Sequence, residues 1–137
     1  MKIGWVGLGT MGIPMVRNLL NKGFPVRVYN RTREKEKELI KLGASSARSL
    51  QHLSQVSDLV ITMVTDDEAV EQVYNDSNGL LADPSGGTLM IDMSTVSTQI
   101  SRNLAKDCSN KGVRFLEAKV SGSVKPAEEG DLSKRKG

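Results

Sequence analysis

Apolar residues fall along this chain in short blocks separated by polar and glycine-containing stretches, and the spacing inside each block indicates its conformation. Lys2 to Val6 is a short apolar run closed by glycine. It leads into Thr10 to Asn21, where Met11, Met15, Leu19 and Leu20 recur on one helical face. The pair reads as a strand turning into a helix. Pro14 falls in the first helical turn, where a missing N–H is tolerated, and Lys22-Gly23 supplies a cation and a C-terminal stop. A second strand is expected over Pro25 to Asn30, with Val26, Val28 and Tyr29 and only weak alternation. A charged helix follows from Thr32, with Leu39, Ile40 and Leu42 as its buried stripe and Gly43 as its end.

Ser49 is placed to cap a short helix running to Val56, and Asp58 to Val64 is then a nearly continuous apolar run. Such a run suits a strand covered on both faces, as in a parallel sheet. Thr65 or Asp66 caps the next helix, through Tyr74; a turn at Asn78-Gly79 and a polar loop precede a strand over Thr88 to Asp92. Ser97 caps a helix with Ile100, Leu104, Ala105 and Cys108 at helical spacing, and Val113 to Val120 is the last strand. Strands alternating with helices in this way predict one α/β domain, a doubly wound parallel sheet with helices on both faces.

The chain of 137 residues, 38% hydrophobic and 26% charged, is long enough for one core and one domain. Its net charge of +3 resides in Lys134, Arg135 and Lys136, since without them 16 basic residues face 16 acidic ones. A nucleic-acid-binding face is therefore not expected. One cysteine, Cys108, and one histidine, His52, argue against disulfides and against zinc or other metal sites. The longest uncharged run, Ile3 to Val16, holds 14 residues and four glycines, short of the ~18 that mark a membrane span. With no leader-like segment ahead of the first strand, the reading is a cytoplasmic chain in a reducing compartment.

Gly7-Leu8-Gly9-Thr10-Met11-Gly12 is a G-x-G-x-x-G sequence between the first strand and the first helix. In that setting the first glycine allows a tight turn, the second lets backbone approach a pyrophosphate, and the third lets helix pack on strand. The helix N-terminus adds free N–H groups and a partial positive charge. Together they predict a dinucleotide site of the Rossmann type. The residue ending the second strand, about 20 positions on, is acidic where NAD is preferred. Here it is Asn30, followed by Arg31 and Thr32, a guanidinium and a hydroxyl suited to a 2′-phosphate. NADP is thus favoured over NAD, with Arg33 and Lys35 adding positive charge, although Arg33 to Lys37 also fits a solvated helix face. The missing acid disfavours an S-adenosylmethionine site.

Ile3 to Gly12, Asn30-Arg31-Thr32, Asp92-Met93-Ser94-Thr95-Val96 and Phe115 to Ser123 stand in an order that resembles the β-hydroxyacid dehydrogenase family. That family includes 3-hydroxyisobutyrate dehydrogenase and 6-phosphogluconate dehydrogenase. Lys-Pro-Ala-Glu at Lys125 to Glu128 brings the resemblance nearest to its glyoxylate/succinic semialdehyde reductase branch. The resemblance implies that Met63 and Val64 line the path from adenosine to nicotinamide and that Thr95 meets the nicotinamide half. Without it, Met63 reads equally as core and Thr95 as a loop or cap hydroxyl. It also implies that Ser121, Gly122 and Ser123 bind a small carboxylate-bearing aldehyde or hydroxy acid. A nest of N–H groups beside hydroxyls is a chemically reasonable anion cradle.

Two departures from the family stand out. Lys119 replaces a proline ahead of the substrate motif, which either loosens the loop or places an ammonium where it attracts a carboxylate. After Leu132 the family continues into another apolar strand and a helical domain, whereas this chain ends in the basic residues 133–137, expected to be disordered. The family's catalytic lysine and its dimer contacts belong to that helical domain. The resemblance therefore implies that residues 1–132 form the NADP-binding half of an oxidoreductase, oligomeric only with the other half; the competing reading is a non-catalytic NADP-binding module. The 137-residue chain is expected to bind NADPH weakly and to oxidise little or none of it with an acidic aldehyde present, which absorbance at the reduced-nicotinamide band would check.

Overall fold

The computed structural model describes residues 1–118. The expected alternation is present: β1 (Ile3–Val6), α1 (Gly12–Asn21), β2 (Val26–Tyr29), a 3-10 turn (Arg33–Glu36) running into α2 (Lys37–Lys41), β3 (Ser45–Ser46) and α3 (Leu50–Val56). There follow β4 (Leu59–Thr62), α4 (Asp67–Asn75), β5 (Leu89–Asp92), α5 (Thr98–Asn110) and β6 (Arg114–Glu117). Six strands form one sheet in the order β3-β2-β1-β4-β5-β6, with every neighbouring pair parallel. The chain steps outward from β1 to β3, then returns to the other side of β1 with β4. That reversal opens a crevice at the carboxyl ends of β1 and β4, where sheets of this kind bind ligands.

Successive strand residues face opposite sides of the sheet and so feed two cores. On one side Ile3, Trp5, Val26 and Val28 pack with Met15 and Val16 of α1 and Leu39 of α2. On the other, Val6, Val60 and Met90 pack with Leu53, Val70, Tyr74, Leu104 and Cys108 from α3, α4 and α5. The three expected N-caps are made by side chains. Ser49 accepts from the His52 N–H at 3.0 Å, Ser97 from Ile100 at 3.3 Å and Asp66, rather than Thr65, from Ala69 at 2.7 Å.

Four details differ from the sequence reading. α1 begins at Gly12 rather than Thr10, because residues 8–11 are held as loop. β2 alternates fully, Val26 and Val28 buried and Arg27 and Tyr29 half-buried. β3 has two residues and no apolar pattern, and only its pairing with Arg27 and Val28 identifies it. The stripe expected on α2 is not buried: Leu39 is enclosed, but Ile40 and Leu42 are 43% and 49% exposed. This helix sits at the edge of the sheet beside α1, to which Arg17–Glu38 ties it, and one narrow face is covered. The other buried residue of this stretch is Glu36, one turn before Leu39 and 2% exposed. β6 is described as far as Glu117, and Lys119 and Val120 lie outside the described residues.

The core also contains a carboxyl group at the end of β5. Asp92 is wholly buried; its Oδ1 accepts from the Thr62 hydroxyl at 2.7 Å and the Ser94 N–H at 3.3 Å, while Oδ2 has no partner. Burial pushes this carboxyl above its ordinary range, against the downward pull of the Thr62 and Ser94 hydrogen bonds. A carboxyl raised on folding loses stability as pH climbs from the unfolded value, about 3.9, through the native one. Acidification from pH 7 to pH 4 should therefore stabilise the wild type relative to Asp92→Asn. Urea unfolding of both at the two pH values tests this, and a constant difference would contradict it.

Candidate functional site

The loop from β1 to α1 is shaped by contacts that only glycine permits. Gly7 has φ +103°, and a Cβ there would lie 2.0 Å from the Met63 carbonyl oxygen, so the loop lies directly against the end of β4. Buried Trp5 donates from Nε1 to the Gly7 carbonyl at 2.8 Å, fixing the turn from below. At Gly12 a Cβ would meet that same carbonyl at 2.3 Å, which is how closely α1 rides on the loop. Gly9 is different, because a Cβ there would meet nothing within 4 Å. The space over Gly9 is open, and the N–H groups of Gly9, Thr10 and Met11 find no acceptor among the described residues. Unsatisfied donors at a helix N-terminus beside an unfilled backbone surface form an anion site of pyrophosphate character.

Two clefts flank the loop. One, about 300 Å³, is lined by Gly7, Tyr29, Asn30, Arg31, Val64 and Val73, a mixture of apolar and polar groups. The other, about 340 Å³, gathers Gly9, Thr10, Met11, Met63, Ser94 and Thr95. Val64 borders both. Of the residues singled out in the sequence, Gly7, Gly9, Thr10, Met11, Gly12, Asn30, Arg31, Met63, Val64 and Thr95 line these two clefts, and Lys35 lies in a third, open hollow beside Leu8, Gly9 and Thr10. Leu8 itself is buried and donates its N–H to Asn30 Oδ1 at 2.9 Å. Ser121, Gly122 and Ser123 lie outside the described residues.

The end of β2 divides the basic residues into two kinds. Arg33 donates to the Ser46 hydroxyl at 2.7 Å and to the Ala47 carbonyl at 2.5 Å, pairs with Glu36 at 3.1 Å and lies 4.6 Å over the Tyr29 ring. Its side chain is 45% exposed, but its charge is not free. Lys37 pairs with Glu34 at 2.8 Å. Arg31 and Lys35 have no partner among the described residues and stand exposed at the mouth of the site. Asn30 is braced on both sides, its Nδ2 donating to the Thr32 carbonyl at 2.8 Å and its backbone N–H to Glu36 Oε2 at 2.8 Å. Its amide holds protein on both sides, which composition and spacing had not indicated.

On the opposite side of the crevice the Ser94 hydroxyl accepts from the Val64 N–H at 2.9 Å and latches the β4 and β5 loops together. Behind it the Thr62 hydroxyl lies 3.0 Å from the Tyr74 hydroxyl and donates to Asp92. Sequence reasoning missed Glu36, Asp92 and Ser94 as supports of the site, since nothing local marks a buried polar residue whose partners are distant. No group of His, Cys, Asp and Glu among the described residues is arranged to hold a metal ion, and no helix there is long and apolar enough to cross a membrane.

Known proteins resemble this chain in sequence and fold. Glyoxylate/succinic semialdehyde reductase 1 of Arabidopsis thaliana is 42% identical over 132 residues, covering 96% of this chain and 46% of the relative. Mitochondrial 3-hydroxyisobutyrate dehydrogenase of Mus musculus is 36% identical over 131 residues, 96% of this chain and 39% of the relative. Among solved structures, Psf3 in complex with NADP+ and 2-OPP superposes with TM-score 0.86 at 34% identity, covering 93% of this chain and 45% of that one. The 3-hydroxyisobutyrate dehydrogenase of Mycobacterium tuberculosis, solved with L-serine, gives 0.84 at 34% identity, with 93% and 43% covered. The chain spans less than half the length of these relatives. A family model described as the NAD binding domain of 6-phosphogluconate dehydrogenase matches residues 2–136, and the chain belongs to that family.

Proposed function

We propose that this domain binds NADP(H) in preference to NAD(H) and serves an oxidoreductase acting on a small hydroxy acid or aldehyde acid. The observation that carries the cofactor preference is the pairing of charges at the end of β2. Arg33 is neutralised by buried Glu36, Arg31 is left unpaired among the described residues, and no carboxylate stands at residue 30 to receive a ribose diol. A 2′-phosphate meets Arg31 and the Thr32 hydroxyl, with Lys35 reaching it from the other side of Leu8 and Gly9. The N–H groups of Gly9, Thr10 and Met11 hold the pyrophosphate, Tyr29, Val64 and Val73 enclose the adenine, and Met63 and Thr95 face the nicotinamide half. When bound, the nicotinamide supplies or accepts a hydride.

The substrate class rests on the names of the relatives, which are reductases and dehydrogenases of such acids, and on the Ser121-Gly122-Ser123 motif as an anion cradle. The chain's other carboxylate-binding feature would be Lys119. A reducing, cytoplasmic setting belongs to the same reading. It is supported by the presence of a single cysteine in the sequence; Cys108 is buried in α5 with its thiol pushed up to about 12, mainly by burial, and packs rather than reacts. Arg31→Asp should weaken NADPH binding by about 10- to 100-fold, the value of charge-assisted phosphate contacts, while leaving NADH binding nearly unchanged. Titration calorimetry with both cofactors measures this, and equal affinities before and after the substitution would remove the proposal.

A further inference from the structure

Glu36 is a carboxylate almost entirely out of solvent, 2% exposed, in a chain where acidic side chains otherwise lie mostly at the surface. A charge in that position is tolerated when every lone pair it turns inward is used. Here they are. Oε2 accepts from the Asn30 backbone N–H at 2.8 Å and forms an ion pair with Arg33 Nε at 3.1 Å, and Oε1 accepts from the Ser46 hydroxyl at 2.6 Å. These contacts join three places that the sheet itself barely connects. β2 ends its ladder at Tyr29, one residue before Asn30, and β3 contributes only Ser45 and Ser46 to the pairing.

The link from Asn30 to Glu36 also closes the intervening segment into a loop. Arg31, Thr32 and Lys35 stand on it, and its two ends are pinned by one carboxylate. A second pin, from Asn30 Oδ1 to the Leu8 N–H, fixes the same loop against the glycine turn. Arg33, the remaining guanidinium of the loop, is drawn inward to Ser46, Ala47 and the Tyr29 ring, and does not compete with Arg31 for an anion.

We propose that Glu36 is a positioning residue for cofactor discrimination: it closes the Asn30–Glu36 loop and sequesters Arg33, so that Arg31, Thr32 and Lys35 are already arranged for a ribose 2′-phosphate. Pre-organisation of this kind raises affinity by removing the ordering cost at binding. The effect falls chiefly on the phosphate-bearing cofactor, because Glu36 makes no contact with the free N–H groups of Gly9, Thr10 and Met11 and meets the cleft beside Val64 only through Asn30 and Arg33. The inference rests on the NADP reading given above.

The test is the ratio of NADP+ to NAD+ affinity, measured by calorimetry on the full chain, together with its melting temperature. Glu36→Gln should lower NADP+ affinity about tenfold and change NAD+ affinity by less than about twofold, since it removes the charge that holds Arg33 and one of two acceptors. Ser46→Ala, which removes one hydrogen bond to Glu36 and spares the buried charge, should move the same ratio about threefold and keeps the test decisive if Glu36→Gln does not fold. A merely structural Glu36 would lower the melting temperature and weaken both cofactors equally, and that result, or an NADP+ affinity unchanged or raised, overturns the proposal. A wild type without preference for NADP+ overturns the reading beneath it instead; a preference abolished by Arg31→Asp but untouched by Glu36→Gln and Ser46→Ala removes only the role of Glu36.

Discussion

The contact between the Gly7 backbone and the Met63 carbonyl governs the geometry of the whole binding edge. At a positive φ, with a peptide oxygen where a Cβ would be, the first loop is pressed against the end of the neighbouring strand. Trp5 secures the Gly7 carbonyl from within the core, and α1 starts at Gly12 against that same carbonyl. The position of α1, and hence the direction in which its free N–H groups point, follows from how closely two stretches of backbone approach each other. A methyl group at Gly7 would separate β1 from β4 at the place where the sheet order reverses.

Around that contact the molecule separates polar groups that support from polar groups that are left available. Asn30, Glu36, Arg33, Ser94, Thr62 and Asp92 are engaged with one another or with backbone. Gly9, Thr10, Arg31, Lys35 and Thr95 face outward along the crevice. The arrangement is electrostatically economical: buried Glu36 cancels the partly exposed Arg33, and the unpaired charges of Arg31 and Lys35 stand with a helix N-terminus at the mouth of the site. Asp92, with one oxygen lacking a partner, is the exception, a buried carboxyl whose ionisation opposes folding while its other oxygen orders the loop after β5.

Most of the fold was legible in the sequence because it is encoded locally. Ser49, Asp66 and Ser97 cap helices through atoms three residues away, and Gly23 and Gly43 end helices by their own backbone freedom. The glycine loop needed only its spacing and its flanking elements. The readings that changed depend on position in the sheet. β3 has no pattern of its own, and α2 hides Leu39 but not Ile40 or Leu42 because it lies at an edge. In the site, Arg31 and Arg33 look equivalent as letters; they differ because Ser46 and Ala47 are within reach of one of them.

By itself, then, the sequence determined the order of strands and helices, the phosphate-binding turn and the absence of an acid at the end of β2. Periodicity, capping and glycine spacing act over a few residues and need no knowledge of distant partners. The tertiary structure alone decided which charges are free and which are consumed, how the crevice divides into two clefts, and that Glu36 and Asp92 are buried. Those outcomes hang on pairs such as Leu8 with Asn30, 22 residues apart, and Val64 with Ser94, 30 apart, whose meeting is set by the stacking of parallel strands and not by anything local to either residue.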